Sequence, residues 1–303
     1  MSGSSTPPGS GTRSATSGRS SRPSGRPASA DGGNRSLRDR LRVQGKVGLG
    51  DMDPRATPGT GRPRAQRQLE ADRGRLAELQ ARLFAEGTRS LLLILQGLDA
   101  SGKDGTIKHV IGAVNPLGCR VTSFQKPTAE ETAHHYLWRI RRVLPRPGEM
   151  GIFNRSHYED VLVPRVHGTI RPHEWEARYE EINAFEAELA VRSTTVMKVF
   201  LLISREEQRE RLLERLDDPT KRWKFDPGDL DERARWDEYA AAYKDIFAHC
   251  SSPSAPWYVI PADRKWYRNW AVARLLIETL EEMDPRYPQP ELDLESFRAR
   301  LAP

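Results

Sequence analysis

The sequence predicts an α/β fold, in which a parallel sheet of about five strands carries helices on both faces. Short apolar runs alternate about five times with stretches whose apolar residues recur at helical spacing. A glycine-rich turn over 97–106 joins the first apolar run to the next helix, and a polar cluster over 154–160 follows the third run. Ligands of such folds bind at the carboxyl ends of the strands, so we expect both clusters at one edge of the sheet.

The elements follow in order, and each ends where a turn residue or a proline interrupts its pattern. Leucines at helical spacing predict an amphipathic helix that ends at Gly87, and Thr128 with Glu131 forms a capping box before another helix. The predicted strands are 90–96, 120–124, 150–153, 195–203 and 257–260. The predicted helices are 67–86, 106–114, 129–143, 173–191, 205–216, 230–249 and 266–283.

Composition divides the chain into four predicted segments. Residues 1–36 are rich in Ser, Gly, Pro, Thr and Arg, and this composition predicts a disordered basic tail. Turn signals predict an extended linker over 37–66. The folded domain is expected over 67–285, and the proline-rich segment 286–303 is expected to be a peripheral tail.

Length and cysteine content exclude several classes of protein. At 303 residues the chain has room for one large domain or two ordinary ones. No stretch approaches the roughly 20 apolar residues of a membrane span, and the N-terminal arginines precede no apolar core, so neither a membrane protein nor a secretory signal is expected. Cys119 and Cys250 are too few and too far apart for a disulfide framework or a zinc site. Free thiols in a cytoplasmic protein are therefore expected.

The net charge of +6 belongs to the N-terminal part of the chain. Residues 1–60 hold ten Lys and Arg against four Asp, whereas the remaining residues hold 38 basic and 38 acidic side chains. The basic character is therefore no evidence that the folded domain binds nucleic acid.

The glycine-rich turn has the layout of a phosphate-binding loop, since a strand, the turn, a lysine and a helix follow one another. Backbone N–H groups and the positive end of the helix would point at one anion. Gly97 and Gly102 allow close approach, and Lys103 supplies a positive charge. The candidate phosphate-binding residues of the turn are Gly97, Ala100, Ser101, Gly102, Lys103, Asp104, Gly105 and Thr106.

Two carboxylates distinguish this turn from the usual pattern, which ends in Gly-Lys-Ser or Gly-Lys-Thr. Asp104 occupies the place of the hydroxyl residue, and Asp99 lies inside the turn. A carboxylate among anion-binding groups is repulsive unless it holds a metal ion or takes up a proton. The alternative is a plain strand-to-helix turn in which Asp99 is only a turn residue.

The polar cluster after the third strand is the second candidate site. In enzymes with such a loop, an acidic residue near the metal ion follows the neighbouring strand. Here Arg155 is placed to brace a phosphate, and Glu159 and Asp160 are placed to hold magnesium or its waters. The alternative is a solvated strand end without function.

A charged segment over 217–235, broken by two prolines, lies between two predicted helices. Lys221, Arg222 and Lys224 lie close enough in sequence to close over phosphates as a lid. A solvated loop has the same composition, and the pattern does not decide between the two.

The chain resembles the polyphosphate kinase 2 family over Leu41–Met283. Three stretches carry the resemblance: the turn over 97–106, the segment Phe153–Leu162, and the lid-like segment Asp218–Phe225. The resemblance implies a P-loop kinase-like fold, similar to that of thymidylate kinases. It also implies phosphoryl transfer between inorganic polyphosphate and nucleotides, with Mg²⁺ as cofactor and Mn²⁺ as the alternative.

The resemblance also implies roles for individual residues. Asp99, Lys103 and Arg155 would be catalytic, and Asp99 would hold the metal ion together with Glu159 and Asp160. Lys221, Arg222 and Lys224 would close from the lid. Asn154 stands where some family members carry Asp, so direct metal ligation there is not expected. The segment after Phe153 is most similar to the subgroup that phosphorylates both AMP and ADP.

The expected partners follow from the same resemblance. A polyphosphate chain needs only a basic track, for which the candidates are Lys108, His109, Lys126 and Arg165. The nucleotides would be adenine nucleotides, with guanine nucleotides as the alternative, and family members tend to form homo-oligomers. Two other functions agree with the residues: an ATP-dependent nucleoside or nucleotide kinase, and a non-catalytic protein that binds polyanions.

Overall fold

A five-stranded parallel sheet forms the core of the computed structural model, which describes residues 36–302. The tail predicted over 1–36 therefore lies outside the described residues up to residue 35. The strands are β1 Ser90–Gln96, β2 Cys119–Ser123, β3 Met150–Asn154, β4 Thr194–Leu202 and β5 Trp257–Pro261. They lie in the order β2–β3–β1–β4–β5, and all four pairings are parallel. The predicted parallel α/β sheet is confirmed, and each strand boundary lies within one residue of its predicted position.

The helices cover both faces of the sheet. In chain order they are α1 Leu37–Leu41, α2 Arg62–Glu86, α3 Lys103–His109, α4 Ala129–Thr132, α5 Leu137–Arg141, α6 Glu159–Val166, α7 Pro172–Val191, α8 Arg205–Asp217, α9 Gly228–Ala234, α10 Trp236–His249, α11 Lys265–Met283 and α12 Leu294–Leu301. No helix within residues 36–302 has both the length and the apolar character that a membrane span requires.

Alternate side chains of β1 enter different hydrophobic clusters. Leu91, Leu93 and Leu95 pack with buried residues of α2 and α11, whereas Leu92 and Ile94 pack with residues of α5 and α7. Successive side chains of a strand point to opposite faces, and both faces are covered here. All seven residues of β1 are consequently buried, which explains the continuous apolar run in the sequence.

Several helices differ from their predicted extents. The helix predicted over 129–143 is two helices, because only α5 places side chains in the core, whereas α4 buries none. The helix predicted over 230–249 likewise consists of α9 and α10. The helix expected to reach Val114 ends at His109, and a 3₁₀ turn continues over Ile111–Ala113. α6 was not predicted, since Pro164 within it interrupts the helical pattern.

The extended linker predicted over 37–66 differs from the structure at both ends, since α1 forms over Leu37–Leu41 and α2 already begins at Arg62. Leu37 and Leu41 of α1 are buried in the same cluster as α11. Arg42 forms an antiparallel bridge with Tyr258, and the backbone N–H of Val43 donates to the carbonyl of Trp257 at 2.9 Å. This segment therefore covers the edge strand β5, an interaction that turn signals in the sequence do not reveal.

A buried ion pair connects β4 with α7 and with the segment that follows β3. Lys198 of β4 donates to the Glu186 carboxylate of α7, to the Tyr158 hydroxyl at 2.9 Å and to the Cys250 carbonyl at 2.6 Å. Tyr158 donates to Glu186 at 2.8 Å, and His157 lies 3.4 Å from the same carboxylate. Burial raises the pKa of Glu186, but Lys198 and His157 together lower it by more than burial raises it. The pKa of Glu186 therefore lies below its ordinary value.

Removal of one partner of this pair should destabilise the protein strongly. We expect Lys198→Met to lower the free energy of unfolding by about 3–5 kcal/mol, because the Glu186 carboxylate would remain buried without its counter-ion. Urea unfolding monitored by circular dichroism measures this change. In the double variant Lys198→Met/Glu186→Gln neither member of the pair is charged, and at least half of the loss should be recovered. A single variant within 1 kcal/mol of the unmodified protein would contradict this account.

Candidate active site

The turn between β1 and α3 folds around the Lys103 ammonium group. Lys103 Nζ donates to the carbonyl of Gly97 at 2.6 Å and to that of Leu98 at 3.3 Å. Burial, and secondarily the charge of Arg155, lower the pKa of Lys103 to about 8. At neutral pH the lysine is still mostly charged. No carboxylate within the described residues lies at ion-pair distance from its ammonium group.

Glycine is required at position 97 because two groups approach its backbone closely. A Cβ atom there would lie 2.7 Å from Ser101 Oγ and 2.9 Å from the Leu201 carbonyl, and φ is +150°. Ser101 Oγ is buried without a hydrogen-bond partner in the described part of the chain. Buried polar atoms normally have a partner, so this orphaned hydroxyl fits a loop whose ligand is a phosphate.

Two residues of α8 hold the turn from behind. Arg211 donates to the carbonyls of Ala100 and Ser101, both at 2.9 Å, and Gln208 donates to the carbonyl of Asp99 at 3.0 Å. These bonds satisfy the carbonyl groups of the turn away from the cleft. Sequence analysis missed both residues, because α8 is a charged helix more than 100 positions away along the chain.

Arg155 joins the turn to the polar cluster after β3. Its Nη2 donates to Asp99 at 2.6 Å, and its Nη1 donates to Glu159 at 3.3 Å. Glu159 raises the pKa of Arg155 despite burial, and Asp99 raises it further. The backbone of Arg155 has φ +64°, an uncommon conformation for a residue with a side chain. The structure thus brings together Asp99, Arg155 and Glu159, three of the predicted site residues.

The lid-like segment reaches the turn through one carboxylate. Lys224 Nζ donates to Asp104 at 3.1 Å, and Asn154 donates to the other oxygen of Asp104 at 3.0 Å. Burial raises the pKa of Asp104, but these two bonds lower it more, so the net pKa lies below the ordinary value. Lys221 lines the same cleft, whereas Arg222 donates to the Leu216 carbonyl.

Other predicted site residues lie elsewhere. Asp160 accepts a hydrogen bond from Arg139 at 3.0 Å and lines a separate cavity, so it does not join Asp99. Arg165 donates to Tyr179 at 2.8 Å and to Asp245 at 2.6 Å, so the structure does not bring it to the turn.

The remaining residues of the predicted basic track do not all lie in one place. His109 lines the cleft, where burial, and after it the charge of Arg268, lower its pKa. Lys108 and Lys126 are exposed and stand outside the residues that line the cleft.

The cleft between the turn, the lid-like segment and α11 has a volume of about 700 Å³. Eight Lys and Arg and five Asp and Glu line it, so the cleft carries a positive charge. One of these residues, Arg268 of α11, was not singled out by sequence analysis. Polyanions are therefore the class of ligand that the electrostatics of this cleft favour.

A hard divalent cation fits the carboxylates at this site. Asp99 and Glu159 offer oxygen ligands and lie on either side of one guanidinium. Within residues 36–302, no group of three or more His, Cys, Asp or Glu is placed to hold a metal ion. Two carboxylates are enough for Mg²⁺, which keeps several waters and binds through one or two carboxylates together with substrate phosphates.

Comparison with known proteins identifies the family. Residues 60–288 match the family model described as polyphosphate kinase 2. The AMP/ADP-polyphosphate phosphotransferase of Meiothermus ruber is 50% identical over 254 residues, which are 83% of this chain and 95% of that protein. The ADP-polyphosphate phosphotransferase of Rhodopseudomonas palustris is 43% identical over 227 residues, which are 71% of this chain and 78% of that protein.

A solved structure agrees with the sequence comparisons. The crystal structure of polyphosphate kinase 2 from Arthrobacter aurescens TC1 superimposes with a TM-score of 0.86 at 46% identity, covering 88% of this chain and 96% of that one. The same fold is thus shared over most of this chain and nearly all of that one. The resemblance found in the sequence is confirmed, and the chain belongs to the polyphosphate kinase 2 family.

Proposed function

We propose that this protein transfers a phosphoryl group between inorganic polyphosphate and the adenine nucleotides AMP and ADP, with Mg²⁺ as cofactor. The observation that carries the proposal is the convergence of Lys103 and Arg155 on the turn beside Asp99. The names of the two relatives, which specify AMP and ADP or ADP alone, support the choice of nucleotide. The homo-oligomer and the cytoplasmic location stay predictions.

Charge neutralisation is the main task of such a site. Phosphoryl transfer passes through a loose, in-line transition state, and an acceptor that is itself a phosphate needs little proton abstraction. Lys103 and Arg155 would bind the oxygens of the transferred group, where negative charge is spread. Asp99 and Glu159 would hold Mg²⁺, or Mn²⁺ in its place, which offsets the repulsion between donor and acceptor phosphates when bound.

Positioning is the second task. Asp99 and Glu159 hold the guanidinium of Arg155 from two sides, so its orientation is set before a substrate enters. Lys221 and Lys224 would close over the phosphates from the lid, since both already line the cleft. Asp160, Arg165 and Arg222 have other partners in the structure, and we assign them no role in the reaction.

The function is tested by ATP formation from polyphosphate and Mg²⁺, with ADP or AMP offered separately. We expect ATP from ADP, and ADP followed by ATP from AMP. Product from ADP alone would reject the broader nucleotide range. Absence of product from both, with folded protein, would reject the proposal and favour a kinase that uses ATP as donor.

Lys103 should be essential for the rate but not for folding. We expect Lys103→Ala to lose at least about 100-fold in kcat, because its charge would stabilise the transition state. Steady-state ATP formation measures this loss, and the circular dichroism spectrum should be unchanged. Lys244→Ala, at an exposed position of α10, is the matched control and should keep full activity. Activity of Lys103→Ala within fivefold of the unmodified enzyme would refute the role.

The alkaline limb of the pH profile should report Lys103. Because the pKa of Lys103 in the free protein is about 8, half of the molecules lose this positive charge at that pH, and more lose it as the pH rises. The value of kcat/KM should therefore fall as pH increases through about 8. In Lys103→Arg the guanidinium stays charged, so the remaining activity should show no such fall up to pH 9.5. An identical limb in this variant would assign it to another group.

A further inference from the structure

Arg268 lies directly against the phosphate-binding turn, although it comes from α11 at the far end of the chain. A Cβ atom at Gly102 would overlap its Nη1, and one at Gly105 would lie 2.9 Å from its Nη2. The guanidinium thus occupies the space that side chains at these two glycines would fill. Only a turn without side chains at both positions admits this arginine.

The charge of Arg268 has no counter-ion within residues 36–302. Its side chain is buried, with a relative exposure of 3%. Nε and Nη2 donate to Asn269 Oδ1 at 3.0 and 2.8 Å, and Nη1 donates to no described residue. Burial, together with the nearby charge of Arg211, lowers the pKa of Arg268 to about 10, so the group still carries its charge at neutral pH.

Most other cations that line the cleft are paired. Six of the eight Lys and Arg lie within ion-pair distance of a carboxylate: Arg155, Arg211, Arg215, Lys221, Lys224 and Lys265. The two exceptions are Lys103 and Arg268, which are also buried and both contact the turn. Arg268 therefore resembles Lys103 in burial, in lack of a counter-ion and in position beside the loop.

A buried positive charge without a partner is costly, and an anion that enters the cleft removes the cost. The planar guanidinium presents several donors in a fork that matches two phosphate oxygens. Nη1 is free to donate at the surface of the turn. Phosphate oxygens are thus the partner that the geometry and the charge of Arg268 fit.

We propose that Arg268 binds a phosphate of the polyphosphate chain, next to the phosphate held by Lys103. The proposal rests on the proposed function and adds a binding residue to it. Arg268 is accompanied in the cleft by polar groups of His109, Lys265 and Asn269, which suit a ligand made of phosphates alone. The apolar and aromatic side chains Leu162, Trp236 and Tyr239 line an adjoining cavity of only about 30 Å³, and none of the three lines the cleft.

Steady-state kinetics of the full-length protein test the proposal, with polyphosphate varied at saturating ADP and Mg²⁺. We expect Arg268→Gln to raise the KM for polyphosphate by about 10- to 100-fold, the range for loss of a hydrogen bond to a charged group. The KM for ADP should change less than twofold. Arg268→Lys keeps the charge but loses the forked pair of donors. Its KM for polyphosphate should lie between those of the unmodified protein and Arg268→Gln. Lys244→Gln removes an exposed charge of α10 that lies outside the residues lining the cleft, and it should change either KM less than twofold.

Two results would overturn the proposal. One is a KM for polyphosphate within twofold of the unmodified value in Arg268→Gln, with an unchanged melting temperature. The other is an increase in the KM for ADP instead, which would assign the arginine to the nucleotide. Calorimetric titration of polyphosphate without nucleotide separates this proposal from the proposed function. A protein that binds polyphosphate but forms no ATP contradicts only the function, because the titration still compares Arg268 with its variants.

Gly105→Ala provides a second variant that retains Arg268 but moves its guanidinium. Its methyl group would displace the guanidinium, while Ala favours the helix more than Gly does. We expect a several-fold higher KM for polyphosphate in Gly105→Ala, and no additional increase when it is combined with Arg268→Gln. Equal increases in both backgrounds would show that the effect does not pass through Arg268, and would contradict the proposal.

Discussion

Positive charges in a phosphate-binding cleft must be held close together before any phosphate arrives. Two unit charges 4 Å apart repel by about 1 kcal/mol in water and about 4 kcal/mol near a protein surface. The cleft meets this constraint by pairing the cations at its rim and lid with carboxylates, as Lys224 pairs with Asp104. Lys103 and Arg268 lack such partners and lie buried against the turn. The rim is therefore close to neutral, whereas the space beside the turn keeps its positive charge.

The same constraint explains the rigid support behind the turn. Arg211 donates to four carbonyl groups, two of them in the turn and two after β5. On the other side, the Lys198–Glu186 pair holds Tyr158, three residues after the strained backbone of Arg155. Donors fixed in this way do not need to reorganise when negative charge develops, which is the main source of electrostatic catalysis. Rigid elements thus carry Lys103 and Arg155, and the segment over 217–235 adds exposed charges.

Sequence analysis predicted the parts of this site that depend on neighbours in the chain. The strands were found because fully buried parallel strands are continuous apolar runs, and the turn was found because its glycines and lysine are adjacent. Arg268 was missed because its contact with the turn joins residues more than 160 positions apart. Glu159 and Asp160 were given one role, yet successive helix residues point about 100° apart. Glu159 therefore faces Arg155, whereas Asp160 faces Arg139.

The pair Asp104 and Asn154 shows how the site keeps its charge while the sequence departs from the usual pattern. Commonly a hydroxyl residue follows the lysine and an acid follows the neighbouring strand, which together supply one carboxylate. Here the carboxylate follows the lysine, the amide belongs to the last residue of β3, and the two are hydrogen-bonded at 3.0 Å. The number of carboxylates is the same, but the charge now lies on the exposed side of the turn. Because the charge lies there, Lys224 of the segment over 217–235 pairs with it at 3.1 Å, so this departure from the usual pattern gives the turn a direct contact with that segment.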